Sequence, residues 1–362
     1  MGTNQTVSPG RQDGGQRSVS LAAAEPSGNA EANSLGRLLE TVHHAARRFW
    51  WNLWAKPHER TIARVKMEKE RQRLAGLQYN EAPLVSIIVQ SFNQVRNIAF
   101  LESRLRNTCM NELIVCEDGS LDGSLEEWTR RLTRPNDFLI RSNDLHEIRA
   151  YDRAIALARG EIICLMQDDD RPPKDGAWLA EAVQLFNDYP QLAVLGGWVG
   201  FMNYFAQEYN APWQLGDRDI PFEHPDTGRP FMFVENVNIG PYLLRRSIYA
   251  ELGGFDLRFS DPGAPGICFE SELCYRAWKR GYQVGLTDLP VKAPIENGYP
   301  LPGGTLLWGK QQRERNEQLN KKRIVELHGR HLPVIQAMVA QANGRLRPMK
   351  RTADQATALA RG

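Results

Sequence analysis

Three adjacent carboxylates, Asp168, Asp169 and Asp170, are the sharpest chemical feature of the sequence. Like charges at successive positions repel one another unless solvent or a cation relieves them. Carboxylate oxygens are hard ligands that suit Mg²⁺ or Mn²⁺, ions that keep waters and bridge the phosphates of a substrate. The triplet ends the apolar run Ile162-Ile163-Cys164-Leu165-Met166, and Arg171-Pro172-Pro173 pins the backbone after it. An isolated acidic triplet suits a solvated turn; one that closes an apolar strand suits a binding site. All three acids are therefore candidate metal ligands.

Four other groups are candidates. Asp118 stands in Glu117-Asp118-Gly119-Ser120-Leu121-Asp122-Gly123-Ser124, either as a turn and cap residue or as an acceptor for a nucleobase N–H. Ser91-Phe92-Asn93 is a shorter polar turn. Glu270 and Glu272 fall in one first helical turn, where the helix dipole alone favours acids. Either carboxylate, if it faces a cleft, is a general base for an attacking hydroxyl, with Glu270 preferred and Glu272 second. Arg149, with Arg153 one turn on, suits a phosphate, the acidic cluster or a structural ion pair.

These groups need elements to hold them. Val85-Ser86-Ile87-Ile88-Val89, Glu112-Leu113-Ile114-Val115-Cys116, Phe138-Leu139-Ile140 and the run before Asp168 read as strands. Amphipathic helical stretches lie between them, over 123–132 and 147–159, with another at 178–186. Alternation of helices with continuous apolar strands predicts an α/β fold with a mostly parallel sheet covered on both faces. Ligands of such sheets bind beyond the carboxyl ends of strands, at the point where strand order reverses. Ser91, Asn93, Asp118 and the acidic triplet all fall at such ends. Further on, strands are expected at 192–195 and 283–286, helices at 246–252 and 270–280, and surface helices at 311–327 and 332–342.

The chain has 362 residues, room for one large domain with extensions or for two domains. Its 42% hydrophobic and 24% charged residues exclude a rod or global disorder. A net charge of +2 is too balanced for a general nucleic-acid binder. The five cysteines, Cys109, Cys116, Cys164, Cys268 and Cys274, form no C-x-x-C pair, which suits a reducing, cytoplasmic compartment. Neither a secretory leader nor a membrane-spanning run is expected. Residues 1–33 are polar and Gly-rich and are expected to be disordered; 34–83 form a helical extension; 84–295 form the α/β domain; 296–362 carry a loop, helices and a frayed tail. In the extension, Arg47-Arg48-Phe49-Trp50-Trp51-Asn52-Leu53-Trp54-Ala55-Lys56 pairs tryptophans with cations. That pairing suits either peripheral contact with an anionic membrane or packing on a protein surface.

Together the motifs resemble the family 2 glycosyltransferases. The matching features are the Val85–Val89 strand with its Phe92-Asn93 turn, the D-G-S-x-D-G-S run from Asp118 to Ser124, and Gln167-Asp168-Asp169-Asp170 as the D-x-D region. Leu252-Gly253-Gly254-Phe255-Asp256 and the Glu270–Arg276 segment with Gly281-Tyr282 complete them. The resemblance covers roughly residues 84 to 290 and implies a GT-A fold and an inverting, metal-dependent sugar transfer. It implies that a nucleotide-diphosphate sugar lies in the N-terminal half, its base near Ser91, Asn93 and Asp118. It also implies that Mg²⁺ or Mn²⁺ sits on Asp169 and Asp170 with Asp168 nearby, and that Glu270 activates a glycan or glycolipid hydroxyl. The chain departs from the usual motif at Gln167, an acid in many members, and in having Glu at 270 where many members have Asp. A sugar nucleotidyltransferase and a non-catalytic nucleotide-sugar or glycan-binding or membrane-scaffold module are the competing readings. The former lacks its Gly-rich phosphate loop after the first strand.

Overall fold

The computed structural model describes residues 84–106, 111–143, 145–202, 213–216, 220–261, 264–291 and 310–349, with Val42, Ala46, Phe49 and Val65. The chain divides into two units, Met1–Lys66 and Met67–Gly362. In the first, the four described residues are helical and exposed. The expected disorder of 1–33 and nearly all of the Arg47–Lys56 segment lie outside the described residues.

The second unit is built on an eight-stranded sheet. Its first half comprises β1 (Val85–Ser91), β2 (Asn111–Glu117), β3 (Asp137–Arg141) and β4 (Ile162–Gln167). These run parallel in the order β3-β2-β1-β4. Val85, Ile87, Ile88 and Val89 are all buried, as expected of a strand covered on both faces. The covering helices are α1 (Val95–Leu105), α2 (Ser124–Arg131), α3 (His146–Leu157) and α4 (Ala177–Asp188).

Pairing register brings the strand ends level. Ser91 pairs with Glu117, and Gln90 with Gln167, so Phe92, Asp118 and Asp168 leave the sheet along one edge. The chain moves outward from β1 to β2 and β3 and then returns to the other side of β1 as β4. The β1/β4 crevice is therefore the switch point at which such sheets bind ligands.

The other half of the sheet is mixed. It contains β5 (Leu192–Gly196), β9 (Phe231–Phe233), β11 (Tyr242–Arg245) and β12 (Gln283–Thr287). The strands between these in the chain stand apart from it: β6 (Val199–Met202), β7 (Trp213–Gly216) and β10 (Asn236–Val237) form a three-stranded sheet, and β8 (Phe222–Glu223) pairs with β13 (Arg347–Pro348). Strand β12 follows α5 (Arg246–Leu252) and α6 (Phe269–Lys279). Strand β11 inserts between β4 and β5, antiparallel to both, and β9 is antiparallel to β12 at the edge. Because β11 runs backwards, it begins where β4 ends, and Tyr242 pairs with Leu165.

Helices α7 (Lys310–His328) and α8 (Leu332–Asn343) follow. They are not simply surface helices. Ile324, Ile335 and Val339 are buried in the core. The Asn343 carboxamide also bonds both backbone groups of Phe233, each at 2.8 Å, which ties α8 to edge strand β9.

Candidate active site

The turn after β1 and the loop after β2 are laced together by side chains. Asn93 adopts φ 54°; its N–H donates to Ser120 Oγ (2.9 Å), and its Oδ1 accepts from the Leu121 N–H (2.9 Å). Asn tolerates this left-handed conformation better than most residues. Asp122 Oδ2 accepts from the Val95 N–H (2.9 Å) at the start of α1. The Ser91 hydroxyl accepts from Trp128 Nε1 (2.9 Å) and bonds Asp168. A fully buried indole thus fixes the serine at the end of β1. Ser91 and Asn93 are therefore placed at the switch point, as frame for the turn.

Asp118 is buried at the end of β2. Its Oδ1 accepts from the Leu145 N–H (2.8 Å) and its Oδ2 from the His146 N–H (2.9 Å). A carboxylate at this helix N-terminus satisfies donors that the helix itself leaves unpaired. The neighbouring Glu117, overlooked in the sequence, organises the glycine turn by accepting from the Ser120 N–H (2.6 Å). The available signal was a buried strand ending in two consecutive acids.

The acidic triplet turns sharply after β4. Asp168 Oδ2 accepts from the Phe92 N–H (2.7 Å), which joins β4 to the β1 turn. Asp170 Oδ2 accepts from the Gln167 N–H (2.9 Å). Gly240 packs against it with φ 110°, and a Cβ there would lie 3.4 Å from Asp170 Oδ1. Asp169 is half-buried. Burial raises all three carboxyls above their usual range, Asp170 to about 8, and their mutual repulsion adds to the rise for Asp168 and Asp170.

Among the described residues, no three His, Cys, Asp or Glu side chains are grouped to hold a metal ion. Asp168 Oδ2 is turned to the Phe92 N–H. The donor chemistry nonetheless fits Mg²⁺ or Mn²⁺ held by one or two carboxylates and a substrate's phosphates, which needs no three-ligand cage. Asp169 and Asp170 are the residues that fit that mode. Crowded carboxyls forced upward by burial are groups that a cation would relieve.

Glu270 lies in the first turn of α6. Among the described residues, nothing hydrogen-bonds its enclosed Oε2. Burial, with Glu147 and Glu317 nearby, lifts its carboxyl to about 7. Tyr242, fully buried at the start of β11, donates from its hydroxyl to the Glu270 carbonyl (3.2 Å). Tyr242 is thus part of the core.

Two candidates are engaged elsewhere. Glu272 is buried; it pairs with Arg276 (2.5 Å) and His328 Nε2 (3.2 Å), so it braces α6 against α7 and does not offer a free base. Arg276 also donates to the carbonyls of Leu252 (2.6 Å) and Gly254 (2.8 Å), which links the Gly253-Gly254-Phe255-Asp256 turn to this helix. Arg149 is buried, donating to Ser260 Oγ (3.1 Å) and to the Ser260 carbonyl (3.0 Å). It ties α3 to the Ser260 segment.

Known proteins resemble parts of this chain. The Haloferax volcanii protein named glucosyl-dolichyl phosphate glucuronosyltransferase is 24% identical over 213 residues, covering 54% of this chain and 64% of its own length. The chain therefore spans less than two thirds of that relative. Among solved structures, S. aureus TarS matches with a TM-score of 0.39 at 16% identity, over 56% of this chain and 35% of its own. TarS 1–349 in complex with UDP matches with a TM-score of 0.40 at 16% identity, over 57% of this chain and 59% of its own. Residues 79–253, which contain the β1 turn, the Asp118 loop and the acidic triplet, match the sequence model described as glycosyl transferase family 2.

Proposed function

We propose that the protein is an inverting glycosyltransferase that moves a sugar from a nucleoside-diphosphate sugar to an acceptor hydroxyl, with Mg²⁺ or Mn²⁺ at Asp169 and Asp170. The observation that carries this reading is the pairing of two features. An oxygen-rich edge lies at the β1/β4 switch point, and an enclosed carboxyl, Glu270, is lifted to about 7 near the start of the neighbouring strand β11.

The turn Ser91–Asn93 and the Asp118 loop hold the nucleoside, with Asp118 accepting from the base. The cation, when bound, supplies positive charge to the departing diphosphate. The acceptor O–H gives its proton to Glu270 Oε2 while its oxygen forms a bond to the anomeric carbon. The bond from that carbon to the diphosphate oxygen breaks, and its electron pair leaves with the nucleoside diphosphate. A single displacement from the far face inverts the anomeric centre.

The base works only when deprotonated. A carboxyl raised to about 7 therefore gives a rate that climbs as pH passes through about 7 and then levels. Transfer assays over a panel of nucleoside-diphosphate sugars test the reading. Glu270→Gln is expected to lose on the order of 10²- to 10⁴-fold in kcat with an unchanged melting temperature. Undiminished transfer by Glu270→Gln rejects the base, and undiminished transfer in EDTA rejects the cation.

The acceptor is a glycan or glycolipid hydroxyl. The name of the Haloferax relative, a transferase acting on a dolichyl-phosphate-linked sugar, supports a lipid-linked one. The basic, Trp-rich Arg47–Lys56 segment then docks on anionic bilayer. No helix among the described residues is long and apolar enough to cross a membrane. Deleting residues 1–60 is expected to abolish co-flotation with phosphatidylserine vesicles; equal flotation of both proteins contradicts docking.

A further inference from the structure

Between the Gly-Gly-Phe-Asp turn and Glu270 the chain makes a strap whose described ends are Leu257–Asp261 and Ala264–Cys268. The described residues of the strap carry no regular structure beyond one 3₁₀ turn, Leu257–Phe259, so their placement depends on outside partners. One set comes from α3. Arg149 holds the hydroxyl and the carbonyl of Ser260, and Glu147 Oε2 accepts from the Gly266 N–H (3.2 Å). Gly266 lets the strap approach Ile148 closely, since a Cβ there would lie 2.4 Å from Ile148 Cγ1.

The other set comes from α7, beyond the family-matched residues. Asn320 is buried, and its Nδ2 donates to the Phe259 carbonyl (2.8 Å) and to the Ile267 carbonyl (2.9 Å). One carboxamide thus draws together the two ends of the stretch 259–267, three residues before the candidate base. Its Oδ1 accepts from Arg323 Nη1 (3.1 Å), and the same guanidinium donates to the Arg258 carbonyl. The carboxamide is therefore oriented with its donors toward the strap. An amide suits this position because two N–H donors on one nitrogen satisfy two buried carbonyls without adding charge.

We propose that Asn320 is a positioning residue for the transfer reaction, closing the 259–267 strap so that Glu270 is held against the acceptor hydroxyl. The inference rests on the reading of Glu270 as the base. Asn320 touches neither donor nor acceptor. Displacing a reacting group by about 1 Å is enough to cost on the order of 100-fold in rate. The donor residues stand on other strands, at the ends of β1, β2 and β4, and do not share this clamp.

The test uses the full chain with Asn320→Ala, and Asn320→Gln as the variant that restores the amide. Two readouts are taken: steady-state kinetics at saturating donor, and hydrogen exchange of peptides spanning 257–272. Asn320→Ser replaces the alanine variant if that one does not fold. The expected result is a kcat lower by about 10- to 100-fold, donor KM within about twofold of wild type, and partial recovery in Asn320→Gln. Exchange in 257–272 quickens while peptides of β1, β2 and β4 are unchanged. A kcat that is unchanged while the strap loosens overturns the proposal, as does a strap whose exchange is unaffected.

If wild type transfers no sugar from any donor, the glycosyltransferase reading fails separately. The clamp is then judged by ¹³C titration of the Glu270 carboxyl, assigned with Glu270→Gln. Groups facing Glu270 are Glu147 on α3, Glu317 on α7, Tyr242 on β11, and Cys268 and Cys274 at and within α6. None changes in the variant. Loosening the strap admits water and is expected to lower the Glu270 titration midpoint, and an unaltered midpoint overturns the positioning role.

Discussion

Asp118 joins two jobs in one side chain. Its oxygens hold the Leu145 and His146 N–H groups, and its place at the end of β2 sets it on the proposed donor edge. Removing it therefore mixes stability with binding. Asp118→Ala is expected to cost about 1–2 kcal/mol of stability through the lost cap, read as a lower urea midpoint. Asp118→Asn keeps an acceptor for one N–H and is expected to lose less stability while still weakening donor binding. Equal stability of the alanine variant and wild type contradicts the capping role. The strand ends before Asp118 and the acidic triplet were legible because adjacent glycines, acids and an apolar run say where a strand stops. The sequence ranked Glu270 above Glu272 but did not show what each meets, since two positions on a helix differ by about 200° and the tertiary neighbours decide their partners. Nor did it show that Arg149 is engaged, because its partner, Ser260, lies 111 residues away.

Among the elements, α6 and α7 form the joint that carries the candidate base. Glu272 meets Arg276 from its own helix and His328 from α7, and His328 stacks on Tyr275 with centroids 5.9 Å apart. Glu272→Ala leaves a partly buried guanidinium and a buried imidazole without their acid. A loss of about 3 kcal/mol is expected, seen as a fall in urea midpoint at constant slope. A midpoint within experimental error of wild type contradicts the bracing role. Activity per folded molecule then separates this brace from Glu270, the proposed base, whose loss is expected to act on the chemistry. Strands β1, β2 and β4 were legible because a parallel strand buried on both faces is a continuous apolar run. The insertion of β11 between β4 and β5 was not, since out-of-order antiparallel pairing is fixed by contacts distant in sequence. The burial of α8 was hidden for the same reason: Ile335 and Val339 look like one stripe of a surface helix until Asn343 is seen bound to β9.

In the unit from Met67 to Gly362, the sheet divides the work. The parallel half presents the turn, the Asp118 loop and the acidic triplet along one edge, and the mixed half supplies β11 and the packing for α6. The family match ends at residue 253, so the candidate base and its supports lie in the part of the chain beyond that match. The donor edge is where the proposed function is most exposed to test. The decisive measurement is a calorimetric titration of nucleoside-diphosphate sugars into wild type and Asp170→Asn, each with and without Mn²⁺. Saturable binding in wild type that strengthens with Mn²⁺ and is at least about tenfold weaker in Asp170→Asn, about 1.4 kcal/mol, is the result expected. Binding of equal strength in all four titrations, or none in any, contradicts a donor site at the end of β4.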